Sequence, residues 1–276
     1  MSPKHPLFVI IKKVSAKSGS LVTPGHVLLF SILRRNVRKQ NKGLFLDIGG
    51  GTGIYSNQIL KMGGWSGKAI DSNLDALAIN QFINSDYILN GTYEVIEEDI
   101  FTYLGNCLDK FDLVLAACVI EHLYDSKVKM LFEGVKEIMN ENGRFIIIVP
   151  GSPRDWGPED ELHGHEKRYT ISECRVLGLH SGLTLEKVCG ATYPLSNFLL
   201  RLSNFLVKRA ESQRASLSTQ KRTLISGFRD VKFKTVFPPW AKLIINKVVL
   251  SPFILLQFLF KNHPRSLMIY AQYLKV

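Results

Sequence analysis

The sequence predicts an α/β fold: a mostly parallel sheet of seven strands with helices on both faces. Three observations carry that expectation. From Gly43 onward short apolar runs alternate with stretches of helical length, the pattern of repeated strand–helix units. Residues 111–117, Phe-Asp-Leu-Val-Leu-Ala-Ala, are nearly unbroken in apolar character, as a strand buried on both faces requires. Finally, Asp47-Ile48-Gly49-Gly50-Gly51-Thr52-Gly53 turns a buried strand straight into a helix, where missing side chains allow a sharp turn and close approach to a ligand.

The elements follow in order. Residues 44–48 read as a first strand and 54–62 as the helix after the glycine loop, stopped by Gly63-Gly64. Residues 68–71 give a short second strand, and 74–83 a second helix with Asn73 as its cap. Residues 93–97 form a third strand and 111–117 a fourth. An amphipathic helix over 127–140 ends at Asn142-Gly143, and a fifth strand over 145–149 stops at Pro150-Gly151. Thr170-Ile171-Ser172-Glu173 has capping-box spacing and opens a helix to about residue 182. Residues 183–189 make a sixth strand and 266–276 contain the closing one. The roughly seventy residues between those two strands exceed what a compact sheet needs.

This divides the chain into a basic N-terminal helical extension (1–42), a sheet domain (43–192 and 266–276) and a basic, apolar helical insertion (193–265). Residues 1–42 carry nine Lys or Arg and no acid, residues 43–192 carry 12 basic and 22 acidic residues, and residues 193–265 carry 13 basic and two acidic ones. Basic flanks around an acidic centre point to an anionic partner surface, nucleic acid or membrane. The four cysteines show no Cys-x-x-Cys spacing, which argues against a zinc site or disulfide framework and fits a cytoplasmic setting. The apolar run 7–11, interrupted by Lys12 and Lys13, is too short for a signal peptide.

A glycine-rich turn alone marks little, and this one fits neither the dinucleotide fingerprint nor a phosphate-binding P-loop. Counting Gly-x-Gly-x-x-Gly from Gly49 or Gly51 ends on Ile54 or Ser56, and no Gly-Lys-Ser/Thr follows. Its context adds more. Asp71 closes the second strand about twenty residues past the glycines, where a carboxylate can accept both hydroxyls of a ribose. Glu98-Asp99-Ile100 follows the third strand and can face an adenine amino group, with Ile100 covering the ring. The fourth strand leads through Ala117-Cys118 to Val119-Ile120-Glu121-His122-Leu123.

With these stations in order, the chain resembles the class I methyltransferase family, especially its small-molecule and lipid-modifying branch, over residues 43–192 and the closing strand. The resemblance implies a Rossmann-like domain and S-adenosyl-L-methionine as cofactor. It also implies that Asp47, Gly49, Gly51 and Gly53 wrap the methionine part, that Asp71 binds the ribose and Asp99 the adenine, and that backbone at Ala117 lies near the methyl donor. Methyl transfer works mainly through proximity and exclusion of water, with a general base where the acceptor is a hydroxyl or activated carbon. His122 and His165 are the candidate bases. His163, Arg168 and Tyr169 are candidate substrate contacts in the segment after strand five, where the family places a substrate lid. No metal site is expected, because His163-x-His165 alone is a weak ligand pattern. Adenine N-methylating enzymes carry Asn/Asp-Pro-Pro-Tyr/Phe after strand four, and here that place reads Ala117-Cys118-Val119-Ile120, which lowers the nucleic-acid reading.

The insertion sharpens the acceptor. Its core over 248–260 is thirteen residues and contains Pro252, too short to span a bilayer but suited to a shallow interfacial element. Trp240, Tyr193 and the flanking Lys and Arg suit a headgroup interface. Leaving the carboxyl edge of the sheet, the insertion is expected to cover the acceptor site. The expected partners are therefore a small-molecule or lipid-linked acceptor and an anionic membrane surface at the cytoplasmic face. Leu28, Leu29, Ile32 and Leu33, ahead of Arg34-Arg35, suggest a second surface-binding helix. RNA or protein methylation through the basic flanks, and a non-catalytic cofactor-binding homologue, are the competing classes.

Overall fold

A computed structural model describes residues 22–40, 42–200 and 239–276. The apolar run 7–11 and much of the basic charge read in the N-terminal extension and in the insertion lie outside the described residues.

The chain begins with helix α1 (Pro24–Val37) and continues through β1 (Leu44–Ile48), α2 (Ile54–Leu60), β2 (Ser66–Asp71), α3 (Leu74–Ile83), α4 (Ser85–Leu89) and β3 (Tyr93–Glu97). It then forms α5 (Ile100–Asn106), β4 (Phe111–Ala117), a 3-10 turn over Ile120–His122, α6 (Asp125–Ile138) and β5 (Met139–Pro150). After α7 (Pro158–His163), α8 (Ile171–Val176) and β6 (Thr184–Ala191), the described residues resume at 239 and give α9 (Ser251–Leu259) and β7 (Met268–Leu274). The seven strands form one sheet in the order β3-β2-β1-β4-β5-β7-β6. The first five run parallel and β7 is antiparallel to both neighbours, so the sheet is mostly parallel, as expected.

Strand alternation builds two cores. Leu46 and Ile48 of β1, Val114 and Ala116 of β4, and Phe145, Ile147 and Val149 of β5 pack with α5, α6 and α8 on one face. Phe45, Leu113, Leu115, Ile146 and Ile148 point the other way, to α1, α2 and Trp65. Strands buried on both sides explain the continuous apolar runs.

Several boundaries differ from the sequence reading. The amphipathic helix ends at Ile138, because Met139 turns extended (φ −85°, ψ 144°), is buried, and pairs with Phe111. The Asn142-Gly143 stop is therefore a kink inside β5, with Asn142 at φ +61°. The capping box at Thr170 and Glu173 is present, but α8 stops at Val176. A 3-10 turn over Leu179–Ser181 replaces its second half, and at Gly178 a Cβ would lie 2.6 Å from the Tyr273 ring. β2 starts two residues earlier than read and β6 runs on to Ala191.

The N-terminal helix is the larger correction. Leu28, Leu29, Ile32 and Leu33 are buried. Leu29, Ile32 and Leu33 join the core under the sheet, and Leu28 packs with Leu195 and Leu250. Its apolar face is thus spent inside the protein and is not available to a membrane. α9 docks on α1, with the Gln257 amide donating to the Leu28 carbonyl (3.1 Å) and the Ser31 hydroxyl (2.9 Å). That end of the insertion packs on α1, while Ser196, Leu199 and Leu200 at its start, with Thr192 just before it, line a cavity at the carboxyl edge.

Candidate active site

The strand order reverses between β1 and β4, and open parallel sheets bind ligands at the carboxyl edge of such a switch point. The glycine loop after β1 and the Cys118–His122 segment after β4 face each other there. Gly49, Gly51 and Gly53 have φ of +61°, +49° and +72°, left-handed values that side chains disfavour. A Cβ on Gly49 would meet Val119 at 2.6 Å, and one on Gly53 would meet the Asn80 amide at 2.1 Å. Gly51 differs: only Asp71 Oδ2 and the Gly49 carbonyl lie within 4 Å of such a Cβ, both at 3.9 Å. Its backbone is bare toward open space, a cradle that a ligand can fill.

Asp47 lies beneath the loop and is 1% exposed, with its Oδ2 accepting from the Ser56 hydroxyl at 2.5 Å. Burial pushes its carboxyl up to about 7 against the Ser56 hydrogen bonds. It braces the loop onto α2, so its contribution to ligand binding is through loop shape. Asp71 accepts from the Gly51 amide (2.9 Å) and the Asn73 amide (2.8 Å), which sets its carboxylate at the loop rim where a diol can reach it. Asp99 caps α5, its Oδ1 accepting from the Phe101 and Thr102 amides at 3.0 Å each. Those bonds, led by that from Thr102, hold it below the ordinary carboxylate range. Its role in the structure is thus a helix cap at the same edge, and neighbouring Ile100 packs partly buried against the core. Ala117 ends β4, and Cys118 turns away at φ +58°.

Beside this loop opens a cavity of about 580 Å³. Leu29, Leu199, Leu200, Leu267 and Met268 wall one part; Glu121, His122, His163, His165 and Arg168 form a polar end; Tyr55 and Cys118 border the switch point. The two candidate bases therefore come together, with ring centroids 4.9 Å apart. His165 Nδ1 sits 2.9 Å from Asp160 Oδ1, and Arg168 Nε donates to the same oxygen at 2.7 Å. Burial favours a neutral Asp160, but Arg168 and His165 outweigh it and hold the carboxyl below its usual range. Arg168 also donates to the Gly151 carbonyl at 3.0 Å, so it lines the cavity as a fixed strut. Tyr169 corrects the sequence reading. It is fully buried, its hydroxyl donates to the Ile120 carbonyl at 3.1 Å, and it does not line this cavity. Asp155 ties the turn together through Ser152 (2.6 Å) and Arg265 (3.0 Å).

Sequence reasoning passed over Glu121 and Asp160. Glu121 is wholly buried, neither carboxylate oxygen has a hydrogen-bond partner, and burial pushes its carboxyl up to about 7. Its ligand atom, with those of His122 and His165, falls within a 4.8 Å cluster. A polar residue beside His122 in an otherwise apolar segment was the available signal.

Residues 46–145 run from β1 and the glycine loop through to β5. Over those residues the chain matches the family described as a methyltransferase domain. The cofactor of such a domain is S-adenosyl-L-methionine, and the bare Gly51 backbone with Asp71 at its rim fits it. Solved structures share the fold. A putative sarcosine dimethylglycine methyltransferase from Galdieria sulphuraria superposes with a TM-score of 0.54 at 13% identity, covering 90% of this chain and 83% of that one. A putative O-methyltransferase from Nostoc punctiforme gives 0.51 at 17% identity, covering 70% and 58%. The pyocyanin biosynthetic protein PhzM gives 0.48 at 20% identity, and the match spans half of its length. No curated relative matches the sequence.

Proposed function

We propose that this protein transfers a methyl group from S-adenosylmethionine to a small amphiphilic, lipid-linked acceptor. One observation carries the reading: a cavity with apolar walls and an ionisable end is lined by Cys118 at the switch point and by Tyr55, two residues past Gly53 of the glycine loop. When bound, the cofactor supplies an electrophilic sulfonium methyl. The glycine backbone and Asp71 hold and orient it, and Cys118 and Tyr55 border the passage between the two sites. The apolar walls take the acceptor's hydrocarbon part and exclude water, while its nucleophilic atom lies toward His122 and His165. Fixing both reactants in line is the main source of rate in such a transfer.

Delivery from a lipid surface fits the outside of the same region. Trp240, Leu243, Ile244, Val248, Leu255 and Leu259 are exposed, and Lys242, Lys247 and Lys261 lie among them in sequence. An apolar patch rimmed by Lys suits the interface of an anionic membrane. The test is incubation of the purified protein with methyl-labelled S-adenosylmethionine and fractionated cell extract. Label should enter the lipid fraction. Label confined to RNA or protein, or cofactor binding without transfer to any fraction, overturns the proposal.

A further inference from the structure

The polar end of the cavity has more order than an acceptor pocket alone requires. His122 Nδ1 lies 3.2 Å from the Gly164 carbonyl, and His165 Nδ1 lies 2.9 Å from Asp160 Oδ1. A carbonyl accepts only, and Asp160 Oδ1 is already an acceptor for the Arg168 guanidinium at 2.7 Å, so in the neutral form of each ring Nδ1 is the nitrogen that donates. That leaves each Nε2 with a free lone pair. Imidazoles that ligate metals are fixed in this way, with the other ring nitrogen donating to a carbonyl or a carboxylate. Within 4.8 Å of both rings' ligand atoms lies the carboxyl of Glu121, 0% exposed and without a hydrogen-bond partner on either oxygen. The Cys118 thiol beside it is only a weak donor. A carboxyl buried like this either holds a proton or is met by a cation, and Arg168, the guanidinium at this end, is committed to Asp160 and Gly151.

We infer that Glu121, His122 and His165 form a binding site for a divalent transition-metal cation. Two imidazoles and one carboxylate suit Zn²⁺, Fe²⁺ or Co²⁺ rather than Mg²⁺, which prefers an all-oxygen shell. The ligand atoms lie within 4.8 Å of one another. Bonds of about 2.0–2.1 Å bring tetrahedral ligands to about 3.3 Å apart, so the site closes around the ion through the exposed His122. The frame behind it is already fixed: the Glu166 amide donates to the Glu121 carbonyl at 2.7 Å and the Tyr169 hydroxyl to the Ile120 carbonyl at 3.1 Å. Three protein ligands leave further positions open toward the cavity. There the cation would take an oxygen of the acceptor and ease release of its proton to water. Only this role rests on the proposed acceptor reading; metal binding does not.

Titration of the full-length, metal-stripped protein with Co²⁺, followed by its visible absorption, tests the site, with Zn²⁺ as competitor. One equivalent should bind with a mixed nitrogen–oxygen spectrum and be displaced by Zn²⁺. Glu121→Gln, His122→Ala and His165→Ala should each weaken binding at least tenfold, and Asp160→Asn should weaken it less by freeing the His165 ring. S-adenosylmethionine affinity, measured on every variant, reports that the fold and donor site persist. Intact cofactor binding with no stoichiometric Co²⁺ or Zn²⁺ binding overturns the metal site and leaves the donor reading standing. Binding that is unchanged in all three ligand variants overturns it too, because the ion then sits elsewhere. Metal binding without cofactor binding would instead sink the methyl-transfer reading alone.

Discussion

Gly51 and Gly53 share a left-handed backbone, yet an added side chain does opposite things at the two positions. At Gly53 the new atom would collide with Asn80 at 2.1 Å in a fully buried amide network that includes Asn84. Gly53→Ala should therefore destabilise the protein by more than the ~1 kcal/mol of backbone strain alone, seen as a lowered urea midpoint. At Gly51 the space is open, so Gly51→Arg should cost only about that strain while abolishing S-adenosylmethionine binding in calorimetry. Retained binding would contradict the donor site. Asp47 gives a second residue-scale prediction. Its folded carboxyl sits near 7 against about 3.9 when unfolded, so between pH 4 and 7 the folded state keeps a proton that the unfolded chain has lost. Stability then falls as pH rises through that window, by at most ~4 kcal/mol from this group. Glu121, also pushed up to about 7, adds a slope of the same sign. Asp47→Asn should thus flatten, without abolishing, the decline in unfolding free energy measured between pH 5 and 8. Equal slopes in the variant and the parent would show that Asp47 is not buried as an acid.

At the scale of elements, α1 shows where the sequence was misleading. Its N-cap is Thr23, whose hydroxyl accepts from the His26 amide at 3.1 Å while His26 Nδ1 accepts from the Thr23 amide at 3.2 Å. Leu33 is 0% exposed within the core under the sheet. Leu33→Ala should cost about 2–5 kcal/mol and Thr23→Ala about 1 kcal/mol in chemical denaturation; a surface arm would lose almost nothing. A stripe of Leu and Ile ending in Arg34-Arg35 looks the same in sequence whether it meets lipid or a sheet, and only the neighbours decide. β1, β3 and β4 were legible to the residue: β1 and β4 are central, buried on both faces and continuous in apolar residues, whereas β3 is an edge strand whose short run Tyr93-Glu94-Val95-Ile96-Glu97 is only half buried, with Glu94 and Glu97 exposed. The extra length of β5 was not, since Asn142-Gly143 mimics a stop where the chain only kinks. In the site, the glycines and Asp71 were legible from spacing, and His122 and His165 from residue type. The Asp160–Arg168 pair and the isolation of Glu121 were not, because they arise from the segment after β5 folding back onto the turn after β4.

Over the whole molecule, charge and exposed apolar surface fall together. The acidic sheet region is bracketed by basic sequence, and no helix among the described residues is long and apolar enough to cross a membrane. The exposed apolar side chains concentrate in residues 240–260, where Trp240, Leu243, Val248 and Leu259 are 63%, 76%, 82% and 77% exposed. Scattered exposed leucines need no explanation, but so many exposed apolar side chains within residues 240–260, with Lys242, Lys247 and Lys261 in the same stretch, do. The buried side of the same segment is fixed: Gln257 bonds α1, and the Arg35 guanidinium lies 4.8 Å over the Phe258 ring. Replacing the outward residues therefore leaves the packing intact. Flotation with phosphatidylglycerol vesicles should recover the parent protein at low salt and less of it at high salt, since the Lys contribution is screened. The triple variant Leu243→Ser, Val248→Ser, Leu259→Ser should float at least tenfold less while keeping its melting temperature and cofactor affinity, because those side chains face outward. Equal flotation of parent and variant would remove the apolar patch from the membrane contact. Absence of flotation at low salt would remove the membrane altogether and leave the acceptor to reach the cavity from solution.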